Sequence, residues 1–197
     1  MDALVICGGE GTRLGGEVEK PLVEVDGRAM VDRVLDALAA SSVGRVHAVV
    51  SPNAPATHEH VRDRVRTIET PGAGYVADLG VALDRVPTPV LTVAADLPLL
   101  DPDAIERVLG EHGTGSLAVY VPVERKRALG VSVDSIQGID GRDVAPTGVN
   151  VVSTGEERST VVDDARLAVN VNRPGDLAVA ERLSSGGYRG NGSYPGV

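Results

Sequence analysis

Hydrophobic positions along the chain follow two rhythms in alternation. Short apolar runs occupy residues 3–7 (ALVIC) and 89–95 (PVLTVAA), the pattern of strands buried on both faces, and residues 45–50 (RVHAVV) read as another strand. Between them, apolar residues recur at helical spacing. Met30, Val31, Val34, Leu35 and Leu38 predict a helix over 29–40, and Val61 and Val65 mark one face of a helix over 55–66. Residues 67–69 read as a short strand, 75–85 as a helix, and 103–111 as a helix capped by Asp101 or Asp103. Further strands are expected at 117–123, 148–152 and 166–171, and a last helix at 174–184 with Pro174 in its first turn. Residues 124–147 follow neither rhythm. The Gly/Ser/Tyr-rich stretch 185–197 reads as a disordered tail beyond a single domain, 1–184.

Alternating strands and helices imply a largely parallel sheet with helices on both faces. In such sheets, ligands sit beyond the carboxyl ends of the strands. Three loops lie at ends of that kind: the glycine-rich 8–16, Ser51-Pro52-Asn53, and Asp96-Leu97-Pro98.

Composition narrows the class. With 42% apolar residues, the 197-residue chain can build a core. A net charge of -9 disfavours broad nucleic-acid binding. No apolar run approaches the roughly 20 residues of a membrane span. Met1-Asp2-Ala3-Leu4 lacks a basic leader, so a cytoplasmic protein is expected. The single cysteine, Cys7, rules out a disulfide framework and reads as a small buried strand residue. Of 19 basic residues, only Lys20 and Lys126 are lysine.

The first loop carries the clearest chemistry. Its glycines let backbone N–H groups approach a polyphosphate. It lacks the Gly-Lys-Ser/Thr ending of a Walker A loop, and Leu14 stands where the dinucleotide fingerprint needs glycine. Arg13 can fork onto phosphate oxygens. Lys20, a lysine in an arginine-using chain, suits a place that needs a compact, movable ammonium. Asp96 ends the most apolar strand, where a carboxylate costs stability unless it is paired, and it can hold Mg²⁺ on a nucleotide triphosphate. Asn170 or Asn172 could complete the metal shell. His58-Glu59-His60 is not a metal site on this reading, because i, i+2 residues do not share a helical face. No serine or cysteine sits in a nucleophile setting.

Together these motifs resemble the nucleotidyltransferases of the sugar-nucleotide pyrophosphorylase type. The resemblance rests on Gly8–Gly16 (GGEGTRLGG), Glu19-Lys20-Pro21-Leu22 and Asp96. Within that family, Ser51-Pro52-Asn53, 74–79 (GYVADL), 148–152 (GVNVV) and Asn170-Val171-Asn172 resemble the archaeal branch that acts on adenosylcobinamide phosphate. The resemblance covers residues 1 to about 184. It implies a three-layer, doubly wound α/β fold, Rossmann-like, with a mixed sheet of about seven strands. It also implies transfer of GMP from GTP to adenosylcobinamide phosphate with release of pyrophosphate, in coenzyme B12 assembly. Gly8, Gly9, Gly11, Thr12 and Arg13 would then bind the triphosphate, and Lys20 the α-phosphate region. Asn53 and the loop from Thr70 to Gly74 would read the guanine. Arg13, Lys20 and Asp96 would be catalytic, with Mg²⁺ on Asp96 and either Asn172 or Asn170, in a monomer or homodimer. The competing readings are a molybdenum-cofactor guanylyltransferase, a sugar-1-phosphate nucleotidyltransferase and a GTP-binding module without catalysis. The presence of both Lys20 and Asp96 argues against the last. The large acceptor should line its cleft with part of 124–147.

Overall fold

A computed structural model describes residues 1–8, 14–15 and 18–186. Its centre is a mixed sheet with three parallel strands at its heart: β1 (Asp2–Ile6), β4 (Val46–Val50) and β6 (Val90–Ala94). β1 lies between the other two and pairs in parallel with both. β5 (Arg66–Glu69) continues the sheet beyond β4. On the other side, β9 (Arg142–Val152) runs antiparallel to β6 and to β7 (Ser116–Pro122). β10 (Glu157–Val161) closes that edge parallel to β7, and β8 (Gln137–Ile139) pairs with β9. The path runs β10-β7-β9-β6-β1-β4-β5. Two short strands, β2 (Glu24–Val25) and β3 (Arg28–Ala29), form a separate hairpin about the Asp26-Gly27 turn. The expected mixed, helix-flanked sheet is present.

The continuous apolar runs are explained by burial on both faces. Ala3 and Val5 of β1, and Cys7 just after it, point into the larger core, while Leu4 points into the smaller one, as the two-residue strand period requires. On the larger side pack α1 (Met30–Ala39) and α4 (Pro102–Glu111). α3 (Tyr75–Leu83) contributes Ala82 to the smaller core, together with Val49, Ile68 and Val90. Burial raises the Cys7 thiol to about 12, so it stays protonated and inert. Asp101 is the cap of α4, its Oδ1 accepting from the Ala104 N–H at 2.9 Å.

Three expectations need correction. Residues 166–171 are not a strand: α6 (Ala165–Ala168) forms there, started by Asp164, whose side chain accepts from the Arg166 N–H. The helix expected over 55–66 stops early, as α2 (Pro55–Val61), because β5 begins at Arg66 to pair with β4. The strand at 148–152 starts earlier, as part of β9. Residues 124–147 resolve into α5 (Val123–Leu129), β8 and the first part of β9. The last helix, α7, spans Pro174–Ser185. Residues 187–197 of the expected tail lie outside the described residues.

Next to α6, the Arg166 guanidinium donates to both oxygens of Asp101, at 2.7 and 2.8 Å, and to Asp164, at 2.6–3.2 Å. Arg166 and Asp164 are both buried. Removing one partner of such a pair leaves a charge in a place that water does not reach. Arg166→Ala is therefore expected to lower stability by about 3 kcal/mol, read as a lower urea midpoint with unchanged slope. An unchanged midpoint would show that the cluster is not structural.

Candidate active site

Because β1, β4 and β6 run parallel, their carboxyl ends open on one edge of the sheet. Gly8 follows β1, Ser51 and Asn53 follow β4, and Asp96 follows β6. Lys20 joins them from the short 3-10 turn Lys20–Leu22, whose Pro21 is buried. The preceding Glu19 anchors that turn: its carboxylate accepts the Ala56 and Thr57 N–H groups at 2.9 and 2.6 Å.

Lys20 and Asp96, 76 residues apart, meet directly. The Lys20 Nζ donates to Asp96 Oδ2 at 2.5 Å and to Asn172 Oδ1 at 2.6 Å. The structure thus joins three of the sequence-predicted residues at one point. Two oxygens, one carboxylate and one amide, converge on a single cation. Hard divalent cations take such oxygen donors, so Asp96 and Asn172 fit a Mg²⁺ ion, with the Lys20 ammonium standing where a cation is welcome. Asn170 is placed differently. Its Nδ2 faces Asp96 Oδ1 at 3.4 Å and Thr147 O at 2.8 Å, while its Oδ1 accepts from Lys126 Nζ at 3.2 Å.

Asp176, in the first turn of α7, sets the loop that carries Asn172. Its carboxylate accepts the N–H groups of Asn172 and Arg173 at 3.0 and 2.9 Å, and the N–H and hydroxyl of Ser132 at 2.6 and 2.8 Å. Burial alone would raise its pKa, but these donors outweigh it and hold the carboxyl below its usual value. Thr147 and Gly148 support the other side. Opposite Val119, β9 bulges, its pairing passing from Ala118–Asn150 to Tyr120–Pro146. Gly148 has φ 81°, and a Cβ there would meet the Ala94 Cβ at 2.9 Å, so only glycine suits the bulge.

The residues expected to read the guanine also come together. Asn53 Nδ2 donates to Gly72 O at 3.2 Å, and Asp78 of α3 accepts the Gly72 and Ala73 N–H groups. Gly74 precedes α3 with φ 106°. The buried Ser51 hydroxyl has no hydrogen-bond partner among the described residues, and it lies 3.6 Å from where a Gly8 Cβ would stand. Gly9, Gly11, Thr12 and Arg13 lie outside the described residues.

Two cavities meet at Asp96. The smaller, about 160 Å³, is lined by Lys20, Pro21, Tyr75, Ala94 and Asp96. The larger, about 450 Å³, shares Tyr75, Ala94 and Asp96 and adds Tyr120, Lys126 and Ser132 among others. Lys126, Ser132, Asp134 and Pro146 in its wall come from the 124–147 segment. Lys126 is buried, and desolvation lowers its pKa against the pull of Asp176, Asp96 and Asp134. Sequence reasoning missed Asp176, Tyr75 and the role of Lys126. The rarity of lysine in the sequence marks Lys126 as much as Lys20. His60 meets Asp32 at 3.0 Å on the surface, and among the described residues no group of three or more His, Cys, Asp or Glu could hold a metal.

Residues 3–174 match the model of the MobA-like NTP transferase domain. This chain belongs to the MobA-like NTP transferases. It is 33% identical over 199 residues to the adenosylcobinamide-phosphate guanylyltransferase of Methanocaldococcus jannaschii, covering 93% of this chain and 97% of that protein. A protein of Natronomonas pharaonis named "Probable molybdenum cofactor guanylyltransferase" is 29% identical over 201 residues, covering 92% of this chain and 97% of that protein. The chain matches the bifunctional protein GlmU of Bifidobacterium longum at 32% identity, over 56% of this chain but only 26% of that protein. A solved CMP:2-keto-3-deoxy-manno-octonic acid synthetase complexed with CTP has the same fold: TM-score 0.68 at 13% identity, over 94% of this chain and 98% of that one. The chain is thus a nucleotidyltransferase by family. Among the described residues, no helix is long and apolar enough to cross a membrane.

The buried Asp176 carboxylate ties acid stability to the site. Its folded pKa is depressed, so its contribution is full above the unfolded value of about 4 and is lost as pH falls through the folded value. Asp176→Ala is expected to lower stability at pH 7 and to flatten the loss of stability below about pH 4, measured by urea unfolding across pH. A variant with the wild-type acid profile would remove Asp176 as its source.

Proposed function

We propose that this transferase moves GMP from GTP to adenosylcobinamide phosphate and releases pyrophosphate, a step in assembling coenzyme B12. The observation that carries the reading is the Lys20 ammonium held between Asp96 Oδ2 and Asn172 Oδ1, where two cavities adjoin. Such a place suits phosphoryl chemistry between two bound substrates. The guanine and the corrinoid rest on the full-length likeness to the M. jannaschii enzyme.

In this reading the glycine loop, with Gly8, Gly9, Gly11, Thr12 and Arg13, binds the triphosphate. Asn53 and the turn from Thr70 to Gly74 read the base. Lys20 leaves its two oxygens for the α-phosphate of the incoming nucleotide. Asp96 and Asn172 then hold Mg²⁺, which neutralises phosphate charge when bound. The larger cavity takes the acceptor, with Tyr75 in the wall that both substrates share.

A phosphate monoester is already anionic at pH 7, so the acceptor needs no general base. Its oxygen attacks the α-phosphorus and a new P–O bond forms. The bond from the α-phosphorus to the bridging oxygen breaks, and its electron pair leaves with pyrophosphate. Lys20 and Arg13 stabilise the charge on the α-phosphoryl oxygens, and the walls of the two cavities align the partners.

A second reading follows from the N. pharaonis relative: the same donor and chemistry with molybdopterin as acceptor. Pyrophosphate release from Mg·GTP, with cobinamide phosphate or molybdopterin offered separately, separates the two. Release with the corrinoid alone supports the proposal, and release with molybdopterin alone overturns its acceptor. Tight GTP binding with release for neither favours a binding module. Lys20→Ala is expected to fold cooperatively and to lose at least about 100-fold in turnover. Near-normal turnover would take Lys20 out of the mechanism.

A further inference from the structure

The chain has only two lysines, and both end on the same polar cluster. Lys20 grips Asp96 and Asn172. Lys126, 4% exposed, comes from α5 on the far side and donates to Ala168 O at 2.6 Å and to Asn170 Oδ1 at 3.2 Å. These two neighbours fix which way the Asn170 amide points. An ammonium can only donate, so it must face the amide oxygen. The Thr147 carbonyl can only accept, so the Asn170 Nδ2 must face it, as it does at 2.8 Å. Turning the amide over would set N–H against ammonium and oxygen against oxygen. The Thr147 carbonyl is in turn placed by the β9 bulge, whose Thr147 Oγ1 donates to Val119 O at 2.9 Å.

From this geometry we infer that Lys126 and Asn170 are positioning residues: Lys126 locks the Asn170 amide so that it donates to Asp96 Oδ1 and leaves Asp96 Oδ2 to meet the cation. Asn170 then gives no oxygen to the metal, and the amide ligand is Asn172 alone. The inference rests on the proposed reading of Asp96 and Asn172 as the oxygens that receive Mg²⁺. It adds a second layer behind them, of the kind that orients metal-binding carboxylates.

The test uses the full chain labelled with ¹⁵N at the lysine Nζ, which gives two signals. In the nucleotide-free protein, Lys126→Met keeps the stem and removes the donor. Although the two ammoniums share no bonded atom, the Lys20 signal is expected to shift, because Asp96 is no longer held through Asn170. Asn170→Ala should shift it likewise. A folded variant with the Lys20 signal unmoved overturns the relay. Mn²⁺ binding in the presence of GTP, followed by electron paramagnetic resonance rather than turnover, should weaken about tenfold in both variants. Unchanged Mn²⁺ affinity would also contradict the inference. Should Lys126→Met not fold, a crystal structure of the wild-type protein with Mn²⁺ and a non-hydrolysable GTP analogue decides. Asn170 Oδ1 remaining on Lys126 upholds the inference, and Asn170 Oδ1 on the metal overturns it. A wild-type protein that binds neither Mn²⁺ nor GTP would sink the proposed function, while the lysine signals would still judge the relay.

Discussion

Two oxygens sharing one ammonium organise this molecule. Asp96 follows the central strand β6, Asn172 lies just before α7, and Lys20 sits in the turn after the glycine loop. Their convergence at 2.5 and 2.6 Å requires every intervening element to be in register. A carboxylate at the end of so apolar a strand is costly unless it is paired. The pairing that relieves the cost is also the arrangement a polyphosphate and its cation can take over. On the proposed function, stability and chemistry draw on the same atoms, and one cation takes the place of another there.

Supports behind this cluster are mostly backbone devices. Asp176 gathers four donors from two loops, so one carboxylate ties the Asn172 loop to the Ser132 loop. The Val171 N–H donates to Asp96 O at 3.0 Å, stitching the Asn170–Asn172 segment to the end of β6. At the Gly148 bulge, β9 comes close enough to Ala94 for the Thr147 carbonyl to reach Asn170. Preorganisation of this sort lets fixed dipoles do the work that water would otherwise have to do by reorienting.

Much of this was legible in the sequence because the strongest signals are local. The apolar runs at β1, β4 and β6 mark strands buried on both faces, and the loops after them mark the edge where the candidate site lies. Lys20 and Asp96 stand out as polar residues that stability alone does not explain. Long-range pairing escaped the reading. The antiparallel β9 has its partners, β6 and β7, earlier in the chain, and the strand expected at 166–171 gives way to a turn of helix held by the Arg166 cluster. Asp176 carries no local mark in the sequence, since its reach to Ser132 depends on tertiary contact. Nor could spacing tell Asn170 from Asn172: two residues apart, they differ only in which neighbours the fold brings, Lys126 for one and Lys20 for the other.

The most direct test of the central claim follows the Lys20 ammonium as nucleotide binds. With ¹⁵N at the lysine Nζ, the protein shows one signal for Lys20 and one for Lys126. On saturation with Mg·GTP, verified by calorimetry, the Lys20 signal should move as the ammonium leaves Asp96 and Asn172 for phosphate, while the Lys126 signal stays in place. A Lys20 signal that does not move with GTP bound would mean that the pair is a structural ion bridge and that the nucleotide binds elsewhere.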